Sequence, residues 1–325
     1  MPRLRDLGHA IGHHPTGPLN AITDVAGVAV GHVTLIEGDR TRTGATAILA
    51  HPGNLFQDKR PAALAVLNGF GKFAGATQLA ELGQLETPIL LTNTLAVGRA
   101  IEAINGYTLE QPGNERVTSL NAVVGETNDS RLNDIRAARP TVAEMRAAID
   151  TARPGAVAEG AVGAGTGTVA FGLKGGIGTA SRLVAGHVLG VLVQANFGGH
   201  LRLDGVPVEN LAAHDADGSI VIILATDAAL DAASLRRLAT RAFGGLARTG
   251  AALSHGSGDY ALAFSTQAVP VAHMPGQLSA LFEAAIEATE EAILNALSMA
   301  PEMTGHDAGT GLASHFTALR LPPKR

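Results

Sequence analysis

Short apolar runs, each bounded by glycine or polar residues, recur along most of the chain. The run at residues 220–225, Ile-Val-Ile-Ile-Leu-Ala, has no polar position and predicts a strand buried on both faces. Other apolar runs predict further strands, at residues 28–35, 44–50, 63–67, 88–93, 122–125 and 259–265.

Longer segments with apolar residues at helical spacing lie between these runs. They predict helices at residues 76–83, 97–105, 141–153, 230–243 and 277–298. Thr141 and Glu144 have the spacing of a capping box at a helix start. Gly244-Gly245 is expected to end the helix that precedes it. Strands and helices alternate without an obvious linker, so we predict one domain over residues 1–325 with a layered sheet-and-helix core.

The composition narrows the classes of partner. Hydrophobic residues make up 46% of the chain and charged residues 16%, as in a globular protein. Aromatic residues are only 3%, tryptophan is absent and the net charge is −5, which argues against a nucleic-acid surface. No apolar run reaches the ~20 residues that cross a bilayer. The first residues also lack the apolar stretch of a signal peptide, so we expect a cytoplasmic protein that binds neither nucleic acid nor membrane.

The glycine-rich segment 162–168 invites a nucleotide-binding interpretation that its spacing rejects. A dinucleotide fingerprint starting at Gly163 would need glycine at position 168, where Thr168 stands. We expect instead a loop whose backbone closely approaches another part of the chain. Cysteine is absent, which excludes a thiolate nucleophile and a cysteine zinc site, and the 12 histidines show no metal-binding helix pair. No cofactor and no metal are expected.

The pair Gly218-Ser219 stands at the mouth of the apolar run 220–225. One interpretation is structural, because Asp217-Gly218 is an ordinary turn dipeptide, like Asp204-Gly205 earlier in the chain. The other is catalytic. If the chain is cut before Ser219, that residue gains a free α-amine beside its hydroxyl, which combines a nucleophile and a base. The local pattern leaves both interpretations open.

Several segments, in order along nearly the whole chain, together resemble one enzyme family. They are residues 17–25, 30–34, 91–94, 124–129, 162–168, 171–182, 193–198, 217–219 and 255–260. This set resembles the DmpA/BapA-type self-processing aminopeptidases, which include L-aminopeptidase/D-esterase and β-peptidyl aminopeptidase. No single segment is decisive, but their joint occurrence is specific.

The resemblance implies both an architecture and an activity. The fold is expected to be a four-layer αββα sandwich, similar to the N-terminal nucleophile hydrolases but with different connectivity. Self-cleavage between Gly218 and Ser219 would give an α chain of residues 1–218 and a β chain of residues 219–325. Such αβ pairs are expected to form a homotetramer. The implied reaction is release of N-terminal amino acids from peptides, amides or esters with a free amino group, through an acyl-enzyme.

The resemblance also assigns roles to individual residues. Ser219 matches the nucleophile, Ser257 and Asp259 its supporting pair, Asn196 an oxyanion donor and Glu126 the group that binds the substrate's amine. The last four each have a plain structural alternative, in a glycine-rich turn, a turn before Gly198 or a solvated loop.

Ser130 and Arg131 depart from the family's usual pattern, and Asp259 has a shorter reach than the glutamate that some members carry. The family sometimes has glutamate where Asp259 stands, and often glycine and an aromatic residue where Ser130-Arg131 stand. The choice among L-α, D-α and β-amino acid substrates therefore stays open.

Two other function classes fit parts of the pattern. An acyl transferase of the ornithine acetyltransferase type also processes itself on a similar fold, but it typically uses threonine as nucleophile. Acyl transfer exceeding hydrolysis would favour it. A non-enzymatic binding protein on the same fold would stay as one uncut chain and would not react with serine-directed acylating reagents.

Overall fold

The computed structural model describes residues 1–208, 217–271, 275–321 and 324. Its helices are α1 (Ala76–Leu82), α2 (Val97–Leu109), α3 (Val142–Asp150), α4 (Ala232–Arg248) and α5 (Pro275–Ser298). Its strands, in chain order, are β1 (Ala29–Glu37), β2 (Thr41–Leu49), β3 (Arg60–Gly69), β4 (Phe73–Ala74), β5 (Gln84–Leu85), β6 (Ile89–Asn93), β7 (Val123–Thr127), β8 (Val169–Ala170), β9 (Leu173–Lys174), β10 (Gly176–Val184), β11 (His187–Asn196), β12 (Arg202–Leu203), β13 (Val206–Pro207), β14 (Ser219–Thr226), β15 (Gly258–Ser265), β16 (Met303–Asp307) and β17 (Leu312–Phe316).

Two large sheets form the centre of the fold. One has the order β1-β2-β6-β7-β4 and the other the order β10-β11-β14-β15-β3-β5. Helices α2 and α3 cover the outer face of the first sheet through a shared apolar cluster, and α4 and α5 cover the outer face of the second. The inner faces pack against each other. The layers therefore run helix, sheet, sheet, helix, which confirms the predicted αββα sandwich.

Strand β14 shows how the sequence pattern matches this layering. Ile220, Ile222 and Leu224 join the cluster under α4 and α5. Val221 and Ile223 point the other way, into the core between the sheets. Alternate residues of a strand face opposite sides, so the all-apolar run is buried on both faces, as predicted.

The predicted start of α3 is confirmed, and the predicted end of α4 is wrong. The Thr141 hydroxyl accepts from the Glu144 N–H at 3.3 Å, and the Glu144 carboxylate accepts from the Thr141 N–H at 2.7 Å, which completes the capping box. Helix α4, however, continues through Gly244 and Gly245 to Arg248. A Cβ at position 245 would lie 2.5 Å from the Ile286 carbonyl oxygen, so glycine here permits α4 to cross α5 closely.

The hairpin of β10 and β11 has no counterpart among the predicted strands. Its two strands pair antiparallel, Gly176 opposite Ala195 at one end and Val184 opposite His187 at the other. A Cβ at Gly178 would lie 1.9 Å from the Ala292 carbonyl oxygen of α5. Gly178, which interrupts the apolar pattern, thus permits close contact between β10 and α5.

Helix α5 is the longest helix, and it carries buried charge as well as apolar residues. Arg182 of β10 bonds both Glu287 and Glu291 of α5, at 3.1 and 2.7 Å, and none of the three side chains is more than 2% exposed. In the described ranges, no helix combines the length and apolar character needed to cross a membrane.

Candidate active site

Three neighbouring strands of the second sheet bring the central residues together at one edge. Asn196 ends β11, Ser219 begins β14 and Gly258 begins β15. The register pairs Asn196 with Ser219, and Ser219 with Gly258. The Ser219 Oγ accepts from the Gly258 N–H at 3.2 Å, and the same N–H lies 3.1 Å from the Gly218 carbonyl oxygen. One backbone donor therefore contacts both ends of the Gly218–Ser219 unit.

Close backbone packing makes glycine necessary on both sides of Ser219. A Cβ at Gly218 would lie 2.3 Å from the Asn196 carbonyl oxygen. A Cβ at Gly258 would lie 2.6 Å from the Phe70 carbonyl oxygen and 3.1 Å from the Ser219 hydroxyl. These contacts fix the position of the hydroxyl before any substrate binds.

A cleft of about 580 Å³ opens in front of this edge. It is bordered by Ser219 and Asn196 from the second sheet, and by Glu126 from strand β7 of the first. Lys72 and Arg131 lie on its rim and bring positive charge. The cleft therefore joins a hydroxyl, a side-chain amide and a carboxylate within the volume of a small peptide.

Glu126 is buried and held on both carboxylate oxygens. Oε1 accepts from the Lys72 backbone N–H at 2.9 Å, and the Thr94 hydroxyl donates to Oε2. The Lys72 ammonium is more distant, at 3.8 Å. Buried carboxylates are costly unless hydrogen-bonded or paired, and these contacts offset that cost and hold the carboxylate in place beside the cleft.

The side-chain amide of Asn196 is fixed from behind. Its Oδ1 accepts from the Val169 N–H at 2.9 Å. Within the residues described, no hydrogen bond from its Nδ2 is seen, and Asn196 borders the cleft. The amide therefore presents its donor end next to Ser219.

Ser257 and Asp259 flank Gly258 and lie behind the cleft. The Ser257 hydroxyl donates to Asp259 Oδ1 at 2.6 Å, and both residues are buried. Burial raises the pKa of Asp259, with the bond from Ser257 opposing that effect. Asp259 Oδ2 is buried without a hydrogen-bond partner in the described part of the chain. Asp259 lies in β15, the strand that pairs with β14, and Ser257 directly precedes it. Among the described residues, neither side chain forms a hydrogen bond with the Ser219 hydroxyl.

The sequence assigned no role to three residues of this region. Thr94 and Lys72 hold Glu126, and Lys174 lies fully buried behind Asn196. Thr94 directly follows strand β6, and a polar residue after a buried strand is the available signal. Lys174 stands in an apolar, glycine-rich stretch, and an isolated lysine there was the only hint.

One group of possible metal ligands lies at the N-terminal segment and α5, among the residues that the structure covers. Ligand atoms of His13, His14 and Glu287 lie within 4.8 Å of one another. The Glu287 carboxylate already accepts from two backbone N–H groups, at 3.0 and 3.2 Å, and from Arg182. Its lone pairs are largely committed, so this group does not form a prepared metal site.

Comparison with known proteins places this geometry in a family. The sequence profile of peptidase family S58 matches residues 20–310. The β-peptidyl aminopeptidase BapA of Sphingosinicella microcystinivorans is 40% identical, over 99% of this chain and 90% of its own.

Two solved structures share the fold over nearly the whole chain. A Burkholderia sp. β-aminopeptidase has a TM-score of 0.89 at 41% identity, covering 98% of this chain and 96% of its own. The L-aminopeptidase D-Ala-esterase/amidase of Ochrobactrum anthropi, described as a prototype of the serine aminopeptidases and a variant of the Ntn hydrolase fold, has a TM-score of 0.87 at 35% identity, with the same coverage of both chains.

Proposed function

The chain belongs to peptidase family S58 and is a serine-type aminopeptidase, and we propose that it activates itself by cutting the Gly218–Ser219 bond. The observation that carries this proposal is the shared cleft of Ser219, Asn196 and Glu126, with the Gly218–Ser219 bond at its edge. The cleavage would yield residues 1–218 and 219–325 as two chains of one αββα unit. Four such pairs are expected to assemble in the cytoplasm.

Self-cleavage uses the Ser219 hydroxyl, the adjoining Gly218 carbonyl, the Gly258 N–H and one water molecule. The Ser219 Oγ attacks the Gly218 carbonyl carbon, and the Gly258 N–H stabilises the charge that develops on the carbonyl oxygen, which it contacts at 3.1 Å. The C–N bond then breaks, and the departing nitrogen takes up the proton that the Ser219 hydroxyl has lost, which leaves an ester on Oγ. Water then hydrolyses the ester, which frees the Gly218 carboxylate and a serine with both hydroxyl and α-amine.

In the cleaved enzyme the same hydroxyl attacks the substrate. The α-amine of Ser219 takes the hydroxyl proton, since an ordinary α-amine pKa of about 7.7–8.0 suits a base near neutral pH. Asp259 Oδ2 is buried and has no hydrogen-bond partner among the described residues; it stabilises the cation that forms, while Ser257 donates to the other carboxylate oxygen. Asn196 Nδ2 donates to the oxyanion. Water completes hydrolysis of the acyl-enzyme.

Glu126 gives the reaction its demand for a free N-terminus. Its buried carboxylate binds the ammonium group of the substrate through a charge-assisted hydrogen bond. Two relatives named for β-aminopeptidase activity are 40% and 41% identical to this chain, so we propose β-amino acid N-termini as the preferred substrates.

The rim of the cleft adds a preference on the leaving side. Arg131 lies at 5.0 Å over the ring of Phe316, which restrains its guanidinium, and Lys72 lies on the same rim. The Lys72 ammonium lies 3.8 Å from Glu126, so Arg131 is the cation that favours a leaving group with a carboxylate. Short peptides with a free C-terminus are therefore the proposed substrate class.

A substrate panel tests the proposal. Purified protein and its Ser219→Ala variant are assayed with matched β-, L-α- and D-α-aminoacyl amides. We expect hydrolysis by the unmodified protein, fastest for the β-aminoacyl amide, and none by the variant. Hydrolysis by Ser219→Ala at the normal rate would contradict the proposed nucleophile.

A further inference from the structure

Lys174 is a fully buried lysine whose ammonium group lies among backbone oxygens. Its Nζ donates to the carbonyl oxygens of Gly165, Thr168 and Gly175, at 2.9, 2.9 and 2.7 Å. Three acceptors match the three N–H groups of an ammonium, whereas a neutral amine has only two. Burial lowers the pKa of Lys174 to about 7, and the Asp129 carboxylate opposes that effect. The geometry fits the protonated form.

Two of the three carbonyl oxygens that accept from this lysine also have another donor. The Thr168 carbonyl also accepts from the Gly175 N–H at 3.0 Å, and the Gly165 carbonyl accepts from the Thr168 hydroxyl at 3.0 Å. Close packing holds the loop as well, since a Cβ at Gly165 would lie 2.3 Å from the Ile177 nitrogen. Burying a cation is costly. A lysine in this place therefore points to a use other than core packing.

A single peptide group connects this lysine to the candidate active site. The Thr168 carbonyl and the Val169 N–H belong to the same amide. Its oxygen accepts from Lys174, and its N–H donates to Asn196 Oδ1 at 2.9 Å. A cation on the oxygen of an amide makes its N–H a stronger donor, and hydrogen-bonded chains polarise one another in this way. The Asn196 amide, polarised at its oxygen, presents a stronger Nδ2 donor to the cleft.

We propose that Lys174 is a positioning residue that orients and polarises the Asn196 amide through the Thr168–Val169 peptide group. The inference rests on the proposed function, in which Asn196 Nδ2 donates to the oxyanion. Because that charge develops only during the reaction, Lys174 acts on kcat and leaves KM nearly unchanged.

Two variants in the same loop separate this role from simple packing. Lys174→Met keeps the apolar stem and removes the charge. Thr166→Val is the matched control, because it deletes one buried hydrogen bond of the loop, from Thr166 to the Gly163 carbonyl at 2.6 Å, away from the Thr168–Val169 amide.

The two variants are expected to differ in kcat. Loss of one oxyanion donor costs ~10²–10³ in rate, and polarisation adds roughly 10–30% per bond, so Lys174→Met should lower kcat by a factor of about 1.6 to 8. Its KM should stay within about twofold. Thr166→Val should leave both parameters unchanged. A normal kcat in Lys174→Met would overturn the inference.

A double-mutant cycle with Asn196→Ala gives the decisive readout. Once the amide is removed, Lys174→Met should slow the enzyme no further, because the two residues act as one unit. If Lys174→Met slows both backgrounds by the same factor, its role is structural and the inference is wrong. If Asn196→Ala alone keeps full activity, the proposed oxyanion donor fails instead, so the two failures are distinguishable.

A second variant covers the case in which Lys174→Met does not fold, as judged by circular dichroism and melting. Asp129→Asn keeps the lysine but removes the buried carboxylate that raises the pKa of Lys174. The ammonium should then lose its proton at lower pH. Because Lys174 acts as an ammonium, kcat should fall as the pH rises through its pKa. In Asp129→Asn we expect this fall to occur at lower pH, with KM unchanged. An alkaline limb at its original position would overturn the inference.

Discussion

Replacement of Glu126 by glutamine removes one charge from the cleft and almost no volume. The amide oxygen can still accept from the Lys72 N–H, now at 2.9 Å from Oε1, and the amide nitrogen can meet the Thr94 oxygen. The local fold should therefore persist. What is lost is the anion that faces the substrate's ammonium group.

The magnitude follows from the burial of this carboxylate. Glu126 is 3% exposed, so solvent screens its pairing only weakly. Hydrogen bonds to charged groups contribute about 1.5–3 kcal/mol, and about 1.4 kcal/mol is a factor of ten. We expect kcat/KM for a β-aminoacyl amide to fall about 10-fold to 150-fold in Glu126→Gln.

The assay compares each substrate with its N-acetylated analogue. Unmodified enzyme should prefer the free amine strongly, and Glu126→Gln should lose most of that preference. Self-cleavage should proceed normally in the variant, because no substrate amine takes part in it. Glu86→Gln is the matched control, since Glu86 is also buried and paired with a lysine, Lys59 at 2.6 Å, but lies outside the cleft. An unchanged preference for the free amine in Glu126→Gln would refute the reasoning.

Three further predictions concern stability and specificity. Burial, with Arg153 adding, lowers the pKa of His32 from 6.5 to about 4. As the pH is lowered, the unfolded chain therefore takes up this proton first. The free energy of unfolding should decrease between pH 6.5 and 4 by at most about 1.4 kcal/mol per pH unit, with a shallower slope for His32→Gln in urea titrations. Gly245→Ala should lower the melting temperature, since overpacking costs about 1–3 kcal/mol, whereas Gly106→Ala in α2, with nothing within 4 Å, should raise it slightly. Arg131→Ala should lower kcat/KM at most about fivefold for dipeptides with a free carboxylate and leave amide-capped ones unchanged, because exposed ion pairs contribute about 0.2–1 kcal/mol.

Local signals predicted the elements whose causes are local. The capping box at Thr141 and Glu144 set the start of α3, and the unbroken apolar run after Ser219 predicted a strand buried on both faces. Predictions from glycine were wrong where the glycine contacts residues that are distant in sequence. Gly245 does not end α4, because it permits close contact with α5. Gly178 interrupts the apolar pattern of β10 for the same reason.

The sequence predicted the residues that border the cleft, but not the groups that hold them in position. Segment resemblance singled out Ser219, Asn196 and Glu126, and the fold brings all three to one cleft. Their catalytic roles stay predictions. The groups that hold them, such as the Thr94 hydroxyl on Glu126 and the Val169 N–H on Asn196, come from strands and loops far apart in sequence. Only the sheet register and the packing of the glycine-rich loop bring them into contact.

Intact mass under denaturing conditions shows directly whether the protein has cut its own Gly218–Ser219 bond. The purified protein is compared with its Ser219→Ala variant. We expect two chains, residues 1–218 and 219–325, from the unmodified protein and a single chain of 325 residues from the variant. One uncut chain from both proteins would contradict self-cleavage at this bond.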